Sequence, residues 1–282
     1  MIEYLKMALV AIISGITFPL PVSSAAHFNF FSNVAGLSGD NQRFSFYYNF
    51  FMLAFSLVVL FTFRKTVLRG FKLAFSSKDE AKVRDNKYFV KNVLFSILPS
   101  IVLFVPVSKG KLLMDYLDNF FNTNGLILSG IACVVTACVL IIALWYTSKN
   151  KNPLRRAVDK RTVLRMAFYQ LPCYVIPGFS HVATGAVNLF ISDIGSKSLV
   201  GQLYIYLAPS MFFVSIVKVI RDIFAGVVFD PAVLIVGIIV CAVASRLMIA
   251  LTSKINIRRT FTFFCGYSII FGIFITVISF FI

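Results

Sequence analysis

The sequence predicts an all-α, polytopic membrane protein made of two halves of inverted topology, each with a re-entrant helix hairpin. Three observations carry that prediction. Hydrophobic residues fill 59% of the 282 positions and charged residues only 13%, against about 25% charge in soluble domains. The basic residues gather in three stretches between long apolar windows. Two further apolar segments are each interrupted near the middle by proline, serine and histidine.

Taken in order, the segment 5–31 starts as a helix, meets the break FPLPVSS, and resumes for about three turns. Span candidates follow at 44–63, 91–107, 125–146, 199–217, 231–250 and 261–281. Each approaches the roughly 20 residues that cross hydrocarbon. The 91–107 window is short and carries Pro99 and Pro106, so a kinked or tilted helix is expected there. Segment 166–190 repeats the pattern of 5–31, with the break IPGFSH.

Charge sets the topology. Nine Lys/Arg lie between Arg64 and Lys91, seven between Lys149 and Arg165, and three between Lys254 and Arg259. Basic loops stay on the cytoplasmic side, which places 64–91, 147–165 and 251–260 inside and 108–124 and 218–230 outside. Segment 166–190 then leaves and re-enters the same face. Segment 5–31 either does the same from the outer face or makes one broken crossing. The chain divides at about 1–124 and 125–282 into halves of opposite orientation. Paired interrupted segments in such halves point to a binding site near the bilayer midplane.

This distribution of charge also answers the net charge of +16. A nucleic-acid partner is not expected, because the basic residues mark membrane orientation. The five cysteines all lie in apolar segments without a CxxC pair, which argues against a disulfide framework or a thiolate metal site. The start MIEYLK is weakly charged and no convincing cleavage site follows it, unlike an ordinary cleavable leader.

At each break a helix should restart with free N–H groups, an arrangement that favours phosphate. Ser23 and Ser24 sit at the first restart, and Gly178 and Ser180 at the second. His27 lies one turn beyond Ser23 and can share its face; His181 follows Ser180. A cavity-facing histidine serves as acid, base or phosphate ligand. Histidines hydrogen-bonded between packed helices, and proline kinks in ordinary spans, explain the same residues without a site. None of the eleven Asp/Glu falls in a span core, and metal-assisted hydrolysis wants carboxylates. Asp193 and Asp222 can reach a pocket from a loop, although ordinary surface positions explain both. Further cavity candidates are Asn49, Tyr169, Gln170, Tyr204 and Tyr206, and Arg246 is expected to snorkel to the interface.

The run from Ser14 to His27 resembles the first signature of the bacitracin-resistance family of undecaprenyl-diphosphate phosphatases, roughly E-G-x-T-E-x-L-P-x-S-S-T-G-H. Gly15, Thr17, Leu20, Pro21, Ser23, Ser24 and His27 match. The second signature, a Gln and then P-G-x-S-R-S-G-x-T, meets Gln170, Pro177, Gly178 and Ser180. The runs YIYLAP at 204–209 and FFCGYSIIFG at 263–272 are also similar to family segments in order.

The resemblance implies the inverted fold with re-entrant pairs, a bacterial cytoplasmic-membrane location, and an undecaprenyl diphosphate or phosphate lipid as partner; a homodimer is left open. It also implies site roles: Ser24 and His27 as catalytic residues, and Ser23, Gly178, Ser180 and His181 as phosphate ligands. Ser14, Thr17, Pro21, Gln170 and Pro177 would line the pocket. The departures are equally specific. Ser14 and Phe18 stand where the motif has glutamates, and His181 stands for its arginine. The family expects a divalent cation, and the carboxylates tied to it are missing, so the cofactor is left undetermined. Two functions remain: hydrolysis of undecaprenyl diphosphate, and binding or transport of a polyprenyl phosphate without hydrolysis.

Overall fold

The computed structural model describes residues 2–281 apart from 38–40, 77–78, 109–110, 123–124, 150–157, 193, 195 and 255–256. Asp193 and the middle of the predicted loop 147–165 therefore lie outside the described residues. The chain is a helical, multi-pass membrane protein. Six helices are long and apolar enough to cross a membrane: Gln42–Thr62, Glu80–Phe104, Gly125–Ser148, Leu199–Phe224, Pro231–Thr252 and Arg259–Ile278. They coincide with the six expected windows.

The second of these differs at its start. Instead of a loop, the basic stretch forms two helices, α4 (Arg64–Ser76) and α5 (Glu80–Phe95). They pack together where Gly70 lets the Phe89 ring approach: a Cβ added at Gly70 would lie 2.6 Å from that ring. Asp79 caps α5 by accepting from the Ala81 and Lys82 N–H groups. The helix then breaks at Ser96–Ile97 and restarts as the short α6 (Leu98–Ile101). Pro99 sits in the first turn of α6, where its missing N–H goes unused. Pro106 opens a small antiparallel hairpin, β1 (Pro106–Ser108) with β2 (Lys111–Leu112), which leads into α7 (Leu113–Asn122).

Both interrupted segments form as helix, break, helix. The first is α1 (Ile2–Thr17) followed by α2 (Ser24–Val34). On α1, Ile2, Leu5, Leu9, Ile12 and Ile16 are exposed, while Met7, Val10, Ala11 and Ser14 are buried. That is the helical period of an element with one face to lipid. The second segment is α9 (Lys160–Tyr169), the single turn α10 (Leu171–Val175) and α11 (His181–Ile191). Around them stand α3 (Asn41–Thr62), α8 (Gly125–Lys149), α12 (Ser196–Phe224), α13 (Pro231–Thr252) and α14 (Ile257–Ile278).

The principal packing pairs are α8 with α14, α1 with α13, and α3 with both α12 and α13. Lipid tails are as apolar as leucine, so close backbone approach, not water exclusion, must join these helices. Gly130 and Gly272 supply it between α8 and α14, where a Cβ on Gly272 would lie 2.6 Å from the Gly130 carbonyl oxygen. The helix α8 also touches both restarted helices, α2 and α11. Gly178 locks the second break against it. Its φ is +121°, and a side chain there would collide with the Ser129 carbonyl and lie 2.6 Å from Ala132 Cβ.

Gly178→Ala is therefore expected to cost about 1–3 kcal/mol from the backbone alone, with the clash adding to it. Gly266→Ala, where a Cβ meets nothing within 4 Å, should leave stability nearly unchanged. Thermal unfolding of the detergent-purified proteins checks both.

Candidate functional site

The first break is made by backbone chemistry. Pro19 and Pro21 have no N–H to extend α1, so the chain turns over 18–21, with Leu20 N–H donating to the Thr17 carbonyl at 3.1 Å. The Pro19 carbonyl, freed by the turn, accepts from the Tyr204 hydroxyl of α12 at 2.7 Å. Ser23 then caps α2, its Oγ accepting from Ala26 N–H at 3.1 Å. Ser24, on the next face, meets the Tyr48 hydroxyl at 3.0 Å.

His27, one turn on, is buried against α14. Its Nδ1 lies 2.6 Å from the Ser23 carbonyl and its Nε2 2.7 Å from the Tyr267 hydroxyl. A carbonyl only accepts, so Nδ1 carries the proton, and in the neutral ring Nε2 accepts from Tyr267. The ring also stacks on Phe271, with centroids 3.9 Å apart. The expectation that His27 shares a face with Ser23 holds through the backbone carbonyl, not through the hydroxyl.

The second break repeats the construction. Ser180 caps α11 by accepting from Ala183 N–H at 3.2 Å. Gln170 spans the break, its Oε1 lying 2.5 Å from His181 Nδ1 and its Nε2 donating to the His181 carbonyl and the Thr184 hydroxyl at 3.0 and 2.9 Å. His181 Nε2 is buried and makes no hydrogen bond. The Tyr174 ring lies 4.6 Å from His181, and the Tyr174 hydroxyl pairs with Ser210 at 2.8 Å.

Between the two breaks lies a cavity of about 500 Å³. Phe28, Asn29 and Ser32 of α2 form one wall, Tyr48 and Asn49 of α3 another, and Tyr174 and Pro177 of the second break a third. Asp118 of α7 and Lys218 of α12 close it. The beginnings of α3 and α8 and the ends of α12 and α14 all reach it, the ends opposite those that carry the basic stretches. The cavity thus opens on the outer face of the charge-derived topology.

Among the expected residues, Pro177 and Asn49 line this cavity. Ser24 and His181 stand one side chain behind its wall, through Tyr48 and Tyr174. The structure does not bring His27 to it. Ser14, Thr17 and Pro21 are buried in the packing of the first break, and Gln170 braces His181. Tyr169 is exposed, and Tyr204 and Tyr206 are buried in packing. Tyr48, Tyr174, Asp118 and Lys218 were not singled out from sequence. Asp118 lies within the first predicted outer loop and Lys218 at the start of the second, where a charged residue ordinarily signals only solvent.

Two ion pairs hold α7 against α12. Lys218 lies 3.5 Å from Asp118, and Arg221 2.6 Å from Asp115 one turn further on. Burial pushes the Asp118 carboxyl above the ordinary range despite Lys218. Partial burial also acts on Asp115, but there the Arg221 hydrogen bond and the Leu112 N–H outweigh it and hold the carboxyl below that range.

Residues 7–274 match the sequence model of the family described as bacitracin resistance protein BacA. The chain belongs to this family. It is 27% identical to an undecaprenyl-diphosphatase of Lactobacillus delbrueckii, over 98% of both chains. It is 24% identical to one of Latilactobacillus sakei over 96% of both, and 25% identical to one of Fusobacterium nucleatum over 96% of this chain and 99% of that one. Both breaks fall within the matched residues.

The places of the motif glutamates are filled by packing. The Ser14 hydroxyl donates to the Val10 carbonyl at 2.8 Å. The Phe18 ring stacks on Phe55 at 5.2 Å and on Tyr48 at 5.6 Å. Hard divalent cations take oxygen ligands, with carboxylates prominent among them, and this break offers a committed hydroxyl and an aromatic ring. No group of three His, Cys, Asp or Glu suited to a metal occurs among the described residues. These side chains do not fit the family's cation.

Two outcomes test this geometry. Gln170→Leu, which strips His181 Nδ1 of its partner while the His181 carbonyl keeps the Thr184 hydroxyl, should lower stability by about 1–3 kcal/mol, read as a drop in melting temperature. For Asp115, a depressed folded-state pKa means that its pair stabilises above the unfolded value of about 3.9 and is lost as pH falls through the lower folded value. Asp115→Asn should therefore lower the melting temperature at pH 7 and lose that effect in strong acid.

Proposed function

We propose that this protein is an undecaprenyl-diphosphate phosphatase-like protein of cell-wall carrier-lipid recycling, with its cavity on the outer face of the cytoplasmic membrane receiving the lipid head group. The observation that carries the reading is that both family motif segments fold into serine-capped breaks flanking one cavity. Apolar wall residues such as Phe28, Phe44, Leu126 and Ile127 suit a prenyl chain, and Asn29, Ser32 and Tyr48 beside them suit phosphate oxygens. The similar construction of the breaks supports two inverted halves, about 1–124 and 125–282, each with a re-entrant hairpin.

In this reading Ser24 and His27 act on the terminal phosphate, and Ser23, Gly178, Ser180 and His181 hold it. Hydrolysis places a water oxygen on the terminal phosphorus and releases the bridging oxygen with the lipid monophosphate. Ser24 is the better placed of the pair, since Tyr48 connects it to the cavity. For His27 to move a proton, its Nε2 must exchange the Tyr267 hydroxyl for water or substrate.

A second reading, binding or translocation of a polyprenyl phosphate without hydrolysis, is favoured by the packing of Ser14 and Phe18 where the motif has acids. Phosphate release from undecaprenyl diphosphate by the purified protein, with and without Mg²⁺ or Ca²⁺, separates the two. The phosphatase predicts release that Ser24→Ala and His27→Ala abolish. Binding without release, weakened by His181→Ala, supports the second reading. A protein that neither binds nor hydrolyses the lipid overturns both.

A further inference from the structure

We propose that Lys218 is the phosphate-binding cation of the cavity, and that a lipid phosphate takes the place of Asp118 as its counter-ion. The inference rests on the reading of the cavity as a polyprenyl-phosphate site. Among the described residues lining the cavity, Lys218 is the one cation and Asp118 the one carboxylate. The Lys218 side chain is only 14% exposed, a placement that is costly for an ammonium unless its donors are matched.

Its donors are matched poorly. An ammonium has three N–H donors, and charge-assisted contacts to carboxylates run at about 2.7–2.9 Å. Lys218 reaches Asp118 at 3.5 Å and the Tyr174 carbonyl at 3.4 Å. The neighbouring Arg221–Asp115 pair, at 2.6 Å, shows that α7 and α12 are near enough for a tight pair. That second pair keeps α7 docked when Lys218 changes partner.

One more donor waits on the same wall: Ser32 lines the cavity, is 2% exposed, and its Oγ makes no hydrogen bond, while the Asn49 amide beside it faces the Asp222 carboxyl, which also feels the Lys218 charge. A buried donor without an acceptor carries a desolvation cost that a ligand oxygen removes. A phosphate supplies several oxygens and more charge than a carboxylate, so it can meet the ammonium and the Ser32 hydroxyl together. Asp118 satisfies the first alone, and loosely.

The test uses the full chain in detergent, titrated with undecaprenyl phosphate, with undecaprenol, which lacks the phosphate, and with inorganic phosphate. The wild type should bind the lipid phosphate better than the alcohol, and Lys218→Met should weaken lipid-phosphate binding about ten-fold or more while leaving alcohol binding unchanged. Lys218→Arg should recover most of the affinity. Asp118→Asn, which removes the competing carboxylate, should bind the lipid phosphate more tightly.

Wild-type binding that Lys218→Met leaves intact would overturn the assignment of Lys218 while leaving the lipid-phosphate reading in place. Absence of lipid-phosphate binding by the wild type removes that reading and this proposal with it. Binding of inorganic phosphate alone, with the same dependence on Lys218, keeps the cation assignment and removes the lipid. If Lys218→Met does not fold, Asp118→Asn decides: tighter binding supports the exchange, and equal or weaker binding refutes it.

Discussion

A backbone that stops being helical while buried between apolar helices must find partners for the N–H and C=O groups it releases, and much of this architecture answers that demand. The two breaks release such groups at 18–23 and 176–180. Ser23 and Ser180 take up N–H groups of the helices that follow, Tyr204 reaches from α12 to the Pro19 carbonyl, and Gln170 ties down the His181 carbonyl. The serines and Gln170 act within their own breaks, whereas Tyr204 belongs to α12, so satisfying the Pro19 carbonyl also fixes how that helix packs.

That packing gives α8 a central place, touching both restarted helices on one side and lying glycine to glycine against α14 on the other. It also gives the histidines structural tasks. Each presents Nδ1 to an oxygen that belongs to, or spans, its own break, and only His181 keeps a nitrogen without a partner. The cavity forms where the two breaks leave space between α2, α3 and α10, with charged groups contributed by α7 and α12. Its polar groups come from five elements, and no short motif holds them.

The chemistry follows from what replaced the motif acids. Phe18 is part of an aromatic stack with Tyr48 and Phe55, and Tyr48 in turn holds Ser24. The residue that removes a carboxylate from the first break therefore also helps position the serine beside it. The first break is thus a packed wall without a carboxylate, and the charged residues at the cavity are Lys218 and Asp118.

The sequence by itself determined the six spans, the two breaks and the family, because hydropathy, basic stretches and proline–serine–histidine runs are local properties of the chain. It also pointed to Pro177 and Asn49 on the cavity wall. It read 64–91 as a loop, since its basic residues carried the topological signal while the helical pairing through Gly70 and Phe89 depends on a contact between distant residues. Only the tertiary structure decided which way each break residue faces. Ser24 and His27, one turn apart on a restarted helix, reach different helices, α3 and α14, because the packing sets Tyr48 beside one and Tyr267 beside the other, from opposite ends of the chain. The pairing of Lys218 with Asp118 across the cavity is likewise a product of packing, set by where α7 docks on α12.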